Sequence, residues 1–119
     1  MTYLVACLST GKGTWKEVTA VMNQQDWKGI YLITNQFGKE KFTSLKKGTE
    51  MLVMDFDQDI VKIRDALKEN LKGKIKDTEV AVNISSGAGK EHMALVSALL
   101  QLGLAIRFVI PSGNTVEEV

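Results

Sequence analysis

The chain has 119 residues, 45% of them apolar and 24% charged, the composition of one globular domain with a sizeable core and no room for a second. Its 15 basic and 14 acidic residues leave a formal net charge of +1, which argues against charge-driven binding to duplex nucleic acid, so any anionic ligand must be gripped locally. The lone cysteine, Cys7, excludes an internal disulfide. No apolar run approaches the ~20 residues that cross a bilayer, and no signal-peptide succession opens the chain, so no membrane partner and a reducing cytoplasmic home are expected.

Tyr3 to Leu8 is a nearly continuous apolar run that reads as a first strand, and Cys7 is core filler within it. Ser9-Thr10-Gly11-Lys12-Gly13 ends that strand in a polar, glycine-containing loop. Thr14 with Glu17 has the spacing of a capping box, and Trp15, Val18, Val21 and Met22 form one apolar helix face that stops before Gly29. Trp15, at the start of that face, reads as core. A second strand fits Ile30 to Ile33. Phe37, Phe42 and Leu45 suggest a short helix between Asn35 and Gly48, with Lys39, Lys41, Lys46 and Lys47 as a solvated basic face.

Met51 to Met54 reads as a third strand. Asp57 or Asp59 caps a helix whose face is Ile60, Ile63, Leu67 and Leu71, and Gly73 stops it; Asp55, Asp57 and Asp59 together read as an acidic helix start. Glu79 to Ile84 is the fourth strand. The helix from about Glu91 to Leu102 is apolar nearly all round, so burial on every side is expected, partly against a second subunit. Ala105 to Ile110 forms a fifth strand before Pro111, and 112–119 reads as a polar C-terminal tail after a domain over 1–111.

Wholly apolar strands separated by amphipathic helices imply an α/β fold, a Rossmann-like and mostly parallel five-stranded sheet with helices on both faces. Right-handed crossovers favour the order 3-2-1-4-5. The loops after strands one and four then face each other where the winding reverses, which is where open α/β sheets bind ligands.

The second of these loops is the stronger anion site. Gly87 and Gly89 let backbone approach a ligand, Ser85 and Ser86 supply hydroxyls, and Lys90 adds a full charge where a helix begins and leaves N–H groups unpaired. Two familiar phosphate motifs do not fit. A P-loop needs glycine where Ile84 stands and Ser or Thr where Glu91 stands; a dinucleotide fingerprint starting at Gly11 needs glycine where Lys16 stands. With His92 the only histidine and Cys7 without a partner at ligand spacing, no metal site and no cofactor are expected. His92 reads as a helix-surface or interface histidine.

The segment Val82-Asn83-Ile84-Ser85-Ser86-Gly87-Ala88-Gly89-Lys90-Glu91-His92-Met93 is similar to the Asn-x-Thr-Gly-Gly-Thr-Lys-x-Met signature of CRISPR-associated Rossmann-fold (CARF) domains, and Leu8-Ser9-Thr10-Gly11 looks like that family's other motif. The matching positions are Asn83, Ser85, Gly87, Lys90 and Met93 in the second motif and Ser9 or Thr10 with Gly11 in the first, whereas Ser86 and Ala88 depart from the pattern. The resemblance implies a homodimer binding cyclic oligoadenylate, with cyclic tetra-adenylate the expected ring, in a cleft across its two-fold axis. It would act as a sensor or as a metal-independent ring nuclease of type III CRISPR antiviral signalling. In that role Lys90 would stabilise charge on the phosphate, Ser9 or Thr10 would orient the phosphodiester, and backbone from Ser86 to Gly89 would hold its oxygens. Gly11, Lys12, Gly13, Asn83, Ser85 and Met93 would complete the ligand site. Two other classes fit the residues: a non-catalytic ligand-binding module, and an unrelated Rossmann-like enzyme for a nucleotide or sugar phosphate with Asp55 or His92 as base.

Overall fold

The computed structural model describes residues 2–8, 14–43 and 45–119. Its elements are β1 (Leu4–Leu8), α1 (Trp15–Asn23), β2 (Ile30–Thr34), α2 (Gln36–Lys41), β3 (Thr49–Val53), α3 (Ile60–Leu71), β4 (Glu79–Asn83), α4 (Gly89–Gln101), β5 (Ala105–Ser112) and β6 (Thr115–Glu118). The sheet order is β3-β2-β1-β4-β5-β6, parallel throughout except for the last pair. The expected order of the first five strands is therefore observed, and the sheet has six strands rather than five.

The apolar continuity of the central strands has a direct cause in two-sided burial. In β1, Val5 and Cys7 face α3 and α4, packing with Ile63, Leu67, Leu71, Ala94, Leu95, Ala98 and Leu99. Leu4, Ala6 and Leu8 face the other way, against Val18, Val21 and Met22 of α1. A strand buried on both faces has no polar position to alternate with. Burial pushes the Cys7 thiol up to about 12, with the Glu91 carboxylate adding to the effect, so its sulfur is an inert part of this core.

Residues 112–119 do not form a loose tail. Gly113, at φ +62°, and Asn114 make the two-residue connection of a β-hairpin, and Ser112↔Thr115 through Val109↔Glu118 pair antiparallel. Pro111 does not end β5, because β4 pairs only as far as Phe108 and nothing beyond it asks for the missing N–H. Gln24 Nε2 donates to the Gly113 carbonyl at 3.0 Å and Val116 joins the α1-side core, which fastens the hairpin to the domain.

Two local expectations also change, and the choice between Asp57 and Asp59 is decided. Thr14 makes no side-chain cap bond to α1, since its backbone at φ −93°, ψ −6° is already helical rather than extended, so no capping box forms there. Asp59, extended at ψ 162°, is the cap of α3 and accepts from Lys62 N at 2.9 Å. Lys46 is not part of a solvated face: its Nζ donates to the carbonyls of Met22 (3.1 Å) and Gln25 (2.9 Å), satisfying backbone at the end of α1. Lys39, Lys41 and Lys47 are exposed.

Candidate functional site

The parallel pairing of β1 with β4, Leu4↔Ala81 to Ala6↔Asn83, joins the two halves of the sheet at the point where the winding reverses. The turn from β4 into α4 sits at that junction. Asn83, the last residue of β4 and 1% exposed, holds the turn in two directions. Its Nδ2 donates to the Val109 carbonyl on β5 at 2.9 Å and to Ser85 Oγ at 3.2 Å, while its Oδ1 accepts from Ser85 N at 3.2 Å. A short amide at a strand end can bridge the next strand and the following turn at once, which an apolar side chain cannot do.

Past Ser85 the backbone is shaped by three side chains. Ser86 is buried, and its carbonyl lies 2.8 Å from His92 Nε2. Gly87 has φ +104°, and a Cβ there would meet Glu91 Oε2 at 2.8 Å, His92 Nε2 at 2.9 Å and Cys7 Cβ at 3.4 Å. Only glycine fits both the left-handed conformation and the space. Ala88 is extended, and its N–H donates to Glu91 Oε2 at 3.1 Å. Glu91 thus serves the first turn of α4 from the third helical position.

Helix α4 starts at Gly89, two residues before the expected start, so its first-turn N–H groups at Gly89, Lys90 and Glu91 have no acceptor within the helix. Ala88, Gly89 and Lys90 are exposed, Ser85 and Gly87 are half-buried, and the Lys90 ammonium has no hydrogen bond or ion pair among the described residues. A helix N-terminus with a lysine in its first turn, opening from a glycine turn that lets a ligand approach, is suited to hold phosphate oxygens. Of the sequence-derived site residues in this turn, Lys90, Gly89, Ala88, Gly87 and Ser85 lie at or near the surface, whereas Asn83 and Ser86 are buried in its frame. Ser9, Thr10, Gly11, Lys12 and Gly13 lie outside the described residues.

Met93 stands one turn beyond Lys90 and is 60% exposed. With half-buried Val96 and with Leu100, 58% exposed, it forms an apolar stripe opposite the buried Ala94, Leu95, Ala98 and Leu99. Burial of α4 within this chain is therefore one-sided. His92, half-buried and tied to the Ser86 carbonyl, braces the turn. Trp15 sits in an aromatic cluster, its ring 5.6 Å from Phe42 edge-on and 6.1 Å from Phe37.

The sequence reading passed over a second hollow on the same edge of the sheet. A groove of 470 Å³ opens at the carboxyl ends of β2 and β3, among Asn35, Phe37, Met54, Asp55, Phe56 and Asp57. The signal that could have found it is positional: these residues directly follow two parallel strands on the binding edge.

No protein-family model matches the chain, and no curated protein matches it.

Proposed function

We propose that this protein binds a cyclic oligoadenylate in a cleft shared by two copies of the chain, with the β4–α4 turn and Lys90 of each copy on the phosphodiester. The observation that carries the reading is the position of the α4 N-terminus and Lys90 at the β1–β4 junction. Phosphate oxygens there would accept from the free N–H groups of Gly89 and Lys90 and from the lysine ammonium, each a charge-assisted bond. The likeness of 82–93 to the CARF signature narrows the anion to a ring of adenylates. The Met93, Val96 and Leu100 stripe on α4 supports pairing of two chains about a two-fold axis, because an isologous contact would cover it with its own copy. A two-fold symmetric ring would then meet both sets of donors at once, which a mononucleotide cannot.

Sensing is the primary role in this reading. Cleavage would be attack of a ribose 2′-hydroxyl on the adjacent phosphorus, forming a 2′,3′-cyclic phosphate and expelling the next 5′-oxygen, which takes up the proton. Positioning and charge stabilisation can accelerate that step without a metal. His92 Nε2 is held on the Ser86 carbonyl, so the turn offers little general-base help and any turnover would be slow.

Titration calorimetry with cyclic tetra-adenylate, its linear counterpart and AMP tests the proposal. One ring per two chains, bound well ahead of AMP, is expected; one AMP per chain bound as tightly as the ring would indicate a monomeric nucleotide or sugar-phosphate site instead. Sedimentation at 13.1 kDa in the presence of the ring would remove the shared cleft. Product analysis under single-turnover conditions separates a sensor from a ring nuclease.

A further inference from the structure

The first turn of α4 already carries an anion of its own. Glu91 Oε2 accepts from the Ala88 N–H at 3.1 Å, and a Cβ at Gly87 would lie 2.8 Å from the same oxygen, so the half-buried carboxylate is folded back onto the glycine turn. Neither Glu91 nor its exposed neighbour Lys90 forms an ion pair among the described residues. The two side chains therefore set one negative charge against one positive charge in this turn, and the N–H groups of Gly89 and Lys90 are left for a ligand.

Without a ligand, this carboxylate favours the helix, since it satisfies an N-terminal N–H and complements the positive end of the dipole. It opposes any second anion. The Gly89 nitrogen is the next along the backbone from that of Ala88, within ~4 Å, so a phosphate oxygen on the Gly89 N–H comes inside the ~10 Å Debye length of Glu91 Oε2. The repulsion grows in proportion to the ligand's charge, and a phosphomonoester carries nearly two charges at neutral pH where a phosphodiester carries one.

We infer that Glu91 is a charge filter, which admits a phosphodiester to the turn and disfavours a phosphomonoester; the inference rests on the phosphate-binding reading of the β4–α4 turn. A closed ring, whose phosphates are all diesters, passes such a filter. A mononucleotide, or a linear strand gripped by a terminal phosphate, does not.

The test uses the smallest probes of each class, so that it does not depend on the ring. Dimethyl phosphate and methyl phosphate are titrated into the isotopically labelled chain at about pH 8, where they carry one and two charges, while the backbone amide signals of 87–91 are followed. The wild-type chain should bind the diester at least as well as the monoester. Glu91→Gln keeps an oxygen for the Ala88 N–H and removes the charge. It should raise affinity about threefold for dimethyl phosphate and about tenfold for methyl phosphate, the second factor near the square of the first because the charge is doubled. Glu91→Ala should show the same two gains with a less stable fold in urea, because it also releases the Ala88 N–H. A monoester preference in the wild-type chain, equal gains for both probes in Glu91→Gln, or no shift at those amides would overturn the filter. If the diester preference holds and depends on Glu91 but cyclic tetra-adenylate does not bind the wild-type chain, the filter stands and the shared-cleft reading falls. If the ring binds and Glu91→Gln leaves the ratio of the two probes unchanged, the reverse follows.

Discussion

At the amino edge of the sheet Lys28 pairs with Asp77 at 3.4 Å, Lys74 pairs with Glu50, and Arg107 joins Glu79 and Glu118. Tyr3 and Tyr31 stack there with centroids 6.3 Å apart, and Lys28 and Lys74 each lie 6.0 Å from one of the two rings. At the carboxyl edge Lys90 has no ion-pair partner among the described residues, the first turn of α4 keeps free N–H groups, and Asn35 and Asp55 each use one oxygen to accept a backbone N–H of the turn that follows. The amino edge pairs several of its charges within the chain; the carboxyl edge leaves the Lys90 ammonium and the first N–H groups of α4 unpaired among the described residues. Exposed ion pairs contribute little to stability, so substitutions at the first edge should have small effects on the fold.

The contrast yields predictions of decreasing size. The largest effect is expected for Gly87→Ala, which forces an unfavourable φ and crowds Glu91, His92 and Cys7; a loss of about 3 kcal/mol in denaturant unfolding, together with loss of ring binding, is expected. A stability change near zero would mean that the turn is not held by this packing.

Lys90→Ala should separate binding from stability. Affinity for cyclic tetra-adenylate should fall by ~1.5–3 kcal/mol, about 10- to 150-fold by calorimetry, while the unfolding free energy moves by less than about 0.5 kcal/mol. Unchanged affinity in a folded variant would place the anion elsewhere.

Asn83→Ala should move both quantities, because it leaves the buried Val109 carbonyl without its donor and releases Ser85; a stability cost of about 1–3 kcal/mol is expected in urea unfolding. Ligand affinity falling with no change in stability would instead make Asn83 a direct contact.

The smallest effect belongs to the amino edge. The Thr78 N–H, helped by the Lys28 ammonium, holds the Asp77 carboxyl below its usual value. A depressed folded-state pKa means that this stabilisation is present above the unfolded pKa and is lost as the pH falls through the folded one. Asp77→Asn should therefore be slightly less stable than the parent at neutral pH, converge with it in acid, and bind the ring normally. A difference that widens on acidification, followed by thermal unfolding across that range, would contradict the sign.

What could be read from the residues alone was whatever depends on one element and its immediate neighbours. Wholly apolar runs such as Leu4–Leu8 announce strands buried on both faces, period-3.6 stripes announce α1 and α3, and the handedness of crossovers then orders five strands. The glycine turn at Gly87 and the cation at Lys90 were visible for the same reason. The sixth strand was missed although Gly113-Asn114 is a two-residue hairpin signal, because Thr115–Glu118 is short and polar and pairs on one side only. Tertiary structure alone decided the rest. Asn83 reaches the Val109 carbonyl and Thr34 the Leu8 carbonyl, each across 26 residues; Lys46 ends α1 from a distant loop; and Gly38 is needed because a Cβ there would run into the Thr34 hydroxyl. Such bonds leave no periodicity in the chain, since a polar side chain finds a distant backbone partner only after the sheet has brought the two together.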